Sequence, residues 1–374
     1  MRKLMRSTLV GLFLASVVAM SAWFVLTPPL GQSGAPHQTG AAPGTMSTAT
    51  FKVVAERLQT DRRGLGVNVI WYDDTQNSDV VLEQKARRVF NYIVGLNANA
   101  IVISFPIYQR SGTSNTVSVG PGTPTPQRLD LVVRAAKLHG LRVTLRPLMD
   151  EQALVPQGYW RGTLAPTNRA AWFRSYWNTV APYAQLAQRD GVGTFVVGTE
   201  FSTLEGDSHW SWLVRQIRTV YSGRLAYSAN WDRVRYSKKR IGVPVGLLGF
   251  DAYFPVNAPD SAEVSQLKAG WDYWLNRAPR STNYRKVVLY EVGAPATAGF
   301  YNSPWEANPN KPIATQQQVR WFETACREFR SRHMAGIYWW KLDFHTDPVN
   351  PDLSDRGSFI GRPAERVIRA CFGG

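Results

Sequence analysis

From about residue 64 onward, short apolar runs rich in β-branched residues alternate with longer stretches of helical period, eight times over. The runs predict strands at 64–71, 98–105, 141–146, 192–199, 224–230, 246–252, 286–291 and 335–341. Helical patterns lie at 79–95, 127–139, 167–189, 209–221, 261–277 and 315–332, with a last one at 362–371; the link after strand five is too short to read as one. The third linker is representative: Arg128 to His139 runs at helical period, Gly140 supplies a C-cap, and a short apolar strand follows. Near-continuous apolar strands joined by helices belong to a parallel sheet covered on both faces. Eight such units match a closed α/β fold, the (β/α)8 TIM barrel, better than an open doubly wound sheet. No GxGxxG or Walker loop occurs, so the ordinary dinucleotide and P-loop readings fall away.

The barrel domain is assigned to 51–374, and what precedes it is of another kind. Arg2, Lys3 and Arg6 lead into an uncharged 21-residue run, Ser7 to Thr27, long enough to cross a bilayer as a helix. Residues 1–27 therefore read as a membrane anchor or signal segment, with the N-terminus held in the cytoplasm by its positive flank. Small residues such as Ala19 and Ser21 leave cleavage open, and a buried helix is the third reading. Residues 28–50 are dominated by Pro, Gly, Ala, Ser and Thr, too poor in apolar side chains to fold, and read as a flexible linker. Both leading readings place the domain outside the cytoplasm, membrane-anchored or secreted.

The formal charge is +16, or +13 without the three N-terminal cations. Such a surface attracts acidic partners, whether anionic lipid, envelope polymer or acidic polysaccharide. The tightest basic cluster, Arg233 to Arg240, carries no nucleic-acid motif, and a solvated face accounts for most of the surplus. Cys326 and Cys371 fall in the last two helical patterns and could pair in an exported protein or remain two buried thiols. With five His and no HExxH spacing, no metal or other cofactor is called for. A monomer is expected.

Strands four and seven end abruptly in Glu200 and Glu291. A carboxylate gains nothing in an apolar core, whereas the C-terminal mouth of a barrel is where such folds keep their chemistry. Two acids facing one another there suit glycosidic bond cleavage, one protonating the leaving oxygen and the other attacking or activating water. The plain alternatives are an acid at a helix start for Glu200 and a surface acid for Glu291. Asp251 and Tyr253 close strand six, and Tyr253 could hydrogen-bond the strand-seven acid or be structural. Arg146, closing strand three, could hold sugar hydroxyls, tune a carboxylate or form a rim salt bridge. Strand eight ends in Trp339 and Trp340, of which one must face the barrel and the other the helices. Asn230, Trp231 and Tyr108 are further lining candidates. Trp160, Trp210 and Trp305 lie in or beside the long loops, where indoles could stack on sugars or simply pack the loops down.

These residues carry a resemblance. Val197-Gly198-Thr199-Glu200-Phe201, Leu289-Tyr290-Glu291-Val292-Gly293, the Tyr253 strand end and Tyr338-Trp339-Trp340 resemble the retaining clan A glycoside hydrolases, most of all family 113, which contains β-mannanases. The resemblance spans about residues 62–345. It implies Glu200 as acid/base, Glu291 as nucleophile, Tyr253 as the phenol touching the nucleophile, and Thr199 in the place where most of the clan has a sugar-binding Asn. The implied substrate is a β-linked polysaccharide or oligosaccharide, mannan-like or an envelope glycan, cleaved without a cofactor. Where mannanases of this type carry Lys-Pro-His after strand three, this chain has Arg146-Pro147-Leu148. A transglycosylase using the same two acids, or a non-catalytic carbohydrate-binding barrel, are the competing expectations.

Overall fold

The computed structural model describes residues 62–373. The anticipated anchor (1–27), linker (28–50) and start of the domain at 51 lie outside the described residues. Among the described residues no helix is long and apolar enough to cross a membrane.

Eight strands run in order: β1 Gly64–Ile70, β2 Ala100–Gln109, β3 Arg142–Met149, β4 Thr194–Thr199, β5 Arg224–Asn230, β6 Leu247–Asp251, β7 Val287–Val292 and β8 Gly336–Asp343. The helices that follow them are α1 Asp79–Gly95, α2 Pro126–Leu138, α3 Arg169–Arg189, α4 His209–Val220, α5 Lys238–Ile241, α6 Val264–Leu275, α7 Thr315–Ser331 and α8 Ala364–Gly373. Each strand pairs in parallel with its sequence neighbour, and β1 also pairs with β8, so the sheet closes into the expected (β/α)8 barrel. The unreadable link after strand five holds a 3-10 helix over Trp231–Arg235 and the single turn of α5.

Local chemistry starts the helices where expected. Ser78, Thr125 and Asn168 cap α1, α2 and α3 by accepting from Val81, Arg128 and Ala171 backbone N–H groups, and Pro126 sits in the first turn of α2. Most apolar side chains fill the layer between strands and helices. A second, smaller cluster occupies the barrel lumen, where Ala100, Val102, Val196, Ala226 and Val288 surround the stacked rings of Tyr290 and Tyr338, 5.7 Å apart. Gly249 makes room for them: a Cβ there would stand 2.2 Å from the Tyr290 ring. Above these rings the lumen turns polar, with Asn68, Ser104, Arg146, Thr199, Ser228 and Asp251 all buried.

Strand three is longer than its sequence indicates. Pro147 argues for a strand ending at 146, since proline removes a ladder donor. Yet β3 pairs with β4 only through Thr144 and Leu145, so Pro147 lies past that ladder and the strand continues to Met149 against β2.

Cys326 in α7 and Cys371 in α8 form a disulfide, with Cα atoms 5.8 Å apart. The pair tethers the last helix to its neighbour across a separation of 45 residues, a loop whose closure is worth about 4 kcal/mol through the unfolded chain. Replacing both cysteines by serine is expected to lower stability by up to that amount without touching the barrel. Denaturant melts would check it, and an unchanged midpoint would remove the tether from the stability argument.

Candidate active site

The polypeptide makes an unusual turn at Glu200. The residue follows β4 directly, its φ is +55°, and its backbone N–H donates to the Ser228 carbonyl at 2.7 Å. A non-glycine residue in the left-handed region costs energy and persists where its surroundings dictate it, most often at functional positions. Gly198 before it is required by packing, because a Cβ would meet the Trp210 ring at 2.8 Å. Glu200 is 3% exposed and lines a cleft at the C-terminal mouth shared with Glu291, Tyr253, Arg161, Trp305, Trp340 and Lys341. Burial pushes its carboxyl well above the usual range, helped by the nearby acids Asp251, Glu291 and Glu151 and opposed by Arg161. Its Oε1 has no hydrogen-bond partner in the protein. The result is a carboxyl group at the cleft wall whose surroundings favour its protonated form.

Glu291 is set up differently. Its Oε1 stands 2.6 Å from Nη1 of Arg146, and its Oε2 accepts from the Tyr253 hydroxyl at 2.8 Å. Burial and the Glu291 carboxylate raise the Tyr253 phenol well above its ordinary value, so it remains a donor. Gly293 leaves space for that ring, since a Cβ would lie 3.0 Å from it. Arg146 divides its fork among three partners: Nη1 to Glu291, Nη2 to Asp251 Oδ2 at 2.9 Å and Nε to Thr199 Oγ1 at 3.0 Å. Asp251 is held from the other side by the Ser228 hydroxyl at 2.7 Å. A planar guanidinium can serve three acceptors at once in a way that an ammonium cannot.

The other sequence-predicted site residues take the following places. Arg146 and Asp251 are fully buried beneath the cleft, where Arg146 contacts both Asp251 and Glu291. Thr199 is 1% exposed and spends its hydroxyl on Arg146. Trp340 does line the cleft, 5.9 Å above the Arg146 guanidinium, while Trp339 faces the helices and packs on Phe322 of α7 at 4.5 Å. Strand alternation separates the two indoles. Trp231 sits one layer back, stacked at 5.8 Å on Trp305, which forms the cleft wall. Asn230 turns its side chain onto the Trp231 backbone N–H at 3.0 Å. Tyr108 is not among the residues lining this cleft; its hydroxyl donates to the Pro121 carbonyl and its ring lies over Gly120. Trp210 is wholly buried against Phe173 and Tyr227, a packing residue.

Two functional candidates escape a sequence reading, Glu151 and Arg161. Glu151 Oε1 accepts from Arg161 Nε at 2.8 Å and from the Arg161 backbone N–H at 2.9 Å, and the same Nε lies 4.0 Å from Glu200 Oε2. Glu151 would have stood out as a third acid just past a strand end had β3 been carried through Pro147. For Arg161, deep in a loop, no local pattern exists. Among the described residues no cluster of His, Cys, Asp and Glu has a metal-holding arrangement.

Comparison with known proteins agrees with this fold. The family model described as Glycoside Hydrolase Family 113 matches residues 72–357. Among solved structures, the chain is similar to a GH113 β-1,4-mannanase in a complex, at 21% identity and TM-score 0.67, covering 83% of this chain and 98% of that one. It is similar also to the GH113 β-mannanase AaManA from Alicyclobacillus acidocaldarius in complex with ManMIm, at 22% identity and TM-score 0.65, covering 83% and 97%. A GH10 endoxylanase from a sugarcane soil metagenome shares the fold more distantly, at 11% identity and TM-score 0.51, covering 84% and 99%. No curated protein matches significantly.

Proposed function

This chain belongs to Glycoside Hydrolase Family 113, and on that premise we propose that it cleaves a β-linked, mannan-like glycan with retention of anomeric configuration. The observation that carries the reading is the contrast between the two acids of one cleft: Glu200 buried with one oxygen unpartnered and its carboxyl pushed upward, Glu291 paired with Arg146 and receiving a hydrogen bond from Tyr253. Pairs of titratable groups whose surroundings differ in this way take opposite roles in acid/base chemistry.

In the first step a Glu291 oxygen attacks the anomeric carbon. The bond to the leaving sugar breaks, and the departing oxygen takes the Glu200 proton. In the second, the Glu200 carboxylate removes a proton from water, whose oxygen attacks the same carbon and releases Glu291. Arg146 and Tyr253 hold Glu291 in line throughout, and Trp305 and Trp340 offer faces for the apolar side of a sugar ring. The mannan-like backbone is favoured by the names of the two family structures above, both β-mannanases.

The test is proton NMR of the first products released from β-1,4-mannooligosaccharides. The β-anomer is expected to appear first and to mutarotate later. Initial α-anomer would defeat the double displacement. Absence of turnover on every β-linked glycan tried would favour the non-catalytic barrel instead.

A further inference from the structure

In the double displacement Glu200 gives up a proton in the first half and takes one in the second. Between the two it is a carboxylate, and at 3% exposure little water reaches it. A charge formed in such a place is costly unless a fixed opposite charge meets it. The acids around Glu200 are Asp251 of β6, Glu291 of β7 and Glu151 beyond β3, and all three oppose its ionisation. The Tyr227 and Tyr253 phenols also face it, kept neutral by burial. Two arginines act on it from the other side, Arg146 and Arg161, and Lys341 of β8 shares the cleft lining. Arg146 is committed elsewhere, to Glu291 at 2.6 Å, Asp251 at 2.9 Å and Thr199 at 3.0 Å. Arg161 is the arginine within reach, its Nε 4.0 Å from Glu200 Oε2.

The chain holds Arg161 in that place by both ends. Oε1 of Glu151 accepts from the Arg161 Nε at 2.8 Å and from its backbone N–H at 2.9 Å, so a single oxygen fixes main chain and guanidinium together. Gly162 follows because a Cβ there would stand 2.2 Å from the Trp160 ring. The Glu151 and Arg161 side chains are only 6% and 11% exposed, so the pair forms a fixed dipole rather than a solvated one. Glu151 tempers the pull of Arg161 on Glu200 in the resting cleft. Once Glu291 is esterified, its negative charge no longer opposes ionisation of Glu200, and the arginine's attraction remains. The two oxygens of Glu200 then divide the work: Oε2 lies toward Arg161, and Oε1, without a protein partner, is left to exchange the proton.

We propose that Arg161, clamped by Glu151, is the positioning residue of Glu200: it meets the carboxylate formed when the leaving oxygen takes the proton, and so readies the second half of the reaction, a role that rests on the hydrolase reading. In that half a water oxygen bonds to the anomeric carbon, a water proton passes to Glu200, and the ester bond to Glu291 breaks.

The experiment titrates the Glu200 carboxyl by carbon-13 NMR of the full chain labelled at glutamate carboxyls, the signal being assigned by its loss in Glu200→Gln. Arg161→Gln is expected to raise the proton affinity of Glu200 about tenfold or more. Glu151→Gln keeps an oxygen for Arg161 but not the charge, and is expected to lower that affinity. Kinetics are read on a dinitrophenyl β-mannobioside, whose departing phenol needs no proton. Turnover of Arg161→Gln at neutral pH is expected to fall about tenfold, because the glycosyl-enzyme waits for an ionised Glu200. Azide attacks without a base and should restore the rate, and Arg161→Lys should lie between. Unliganded melts check folding. An unmoved Glu200 titration in folded Arg161→Gln overturns the proposal, as do shifts of the same sign in the two variants or a loss of turnover that azide leaves in place. Should Arg161→Gln fail to fold, Glu151→Gln decides alone: a lowered affinity supports the proposal and an unchanged one overturns it. A wild type inactive on every glycan, with the two titrations displaced oppositely, would support the pairing of Arg161 with Glu200 and count against the hydrolase reading.

Discussion

Glu291→Gln is expected to leave the barrel folded and to reduce kcat by about 10³-fold or more, because an amide cannot form the glycosyl ester. Glu200→Gln should lose turnover comparably on natural glycans, and much less on aryl glycosides whose departing phenol needs no proton. The second variant carries another signature. The Glu200 carboxyl is raised in the folded protein, chiefly by burial and then by Asp251. The folded chain therefore binds this proton more tightly than the unfolded chain, and stability falls as pH climbs from the unfolded carboxyl range, about 4.3, toward the folded value. Glutamine removes that penalty. Glu200→Gln should thus melt higher than wild type at neutral pH, with the gap shrinking to nothing in acid below about pH 4. Near-normal kcat in folded Glu291→Gln would sink the nucleophile assignment. An equal or lower melting temperature for Glu200→Gln at pH 7 would contradict the protonated acid.

Arg146→Met should be the most damaging change away from the reacting atoms. It deprives two buried acids, Asp251 and Glu291, of the cation that lies 2.9 and 2.6 Å from them. Breaking a buried ion pair from one side costs about 3–5 kcal/mol. Arg146 is the chief charge holding down Asp251, whose carboxyl burial raises to about 7, so without it Asp251 should take up its proton at higher pH and the acidic limb of the kcat/KM profile should move upward. Arg146→Lys should restore charge without the fork that also reaches Thr199, and fall between the two. Chemical denaturation and pH–rate profiles of both variants check this. Wild-type stability with an unmoved acid limb in Arg146→Met would show that the guanidinium positions nothing.

The barrel and its two acids were legible for the same reason: an apolar run ending in glutamate is both a strand signal and a chemical anomaly. Tyr253 was legible as a neighbour because strand ends converge on one mouth. Parity alone implied that Trp339 and Trp340 face opposite ways, but not which one faces the cleft. What stayed hidden depended on register or loops. The strand break suggested by Pro147 concealed Glu151, the Arg161 loop has no period to read, and Tyr108 belongs to a β2 that runs past its sequence-read end at 105 to Gln109.

The pairing of β1 with β8 has a consequence for how the protein comes into being. Gly64 is hydrogen-bonded in register with Gly336, so the sheet cannot shut until nearly the whole chain exists. During synthesis, every shorter nascent chain presents two raw sheet edges, each a template for a neighbouring copy. Contacts of such long sequence separation also form slowly. A cell making this barrel must therefore shelter an open, sticky sheet for as long as the ribosome withholds the last strand, and truncations before residue 336 should accumulate as aggregate rather than as a smaller fold.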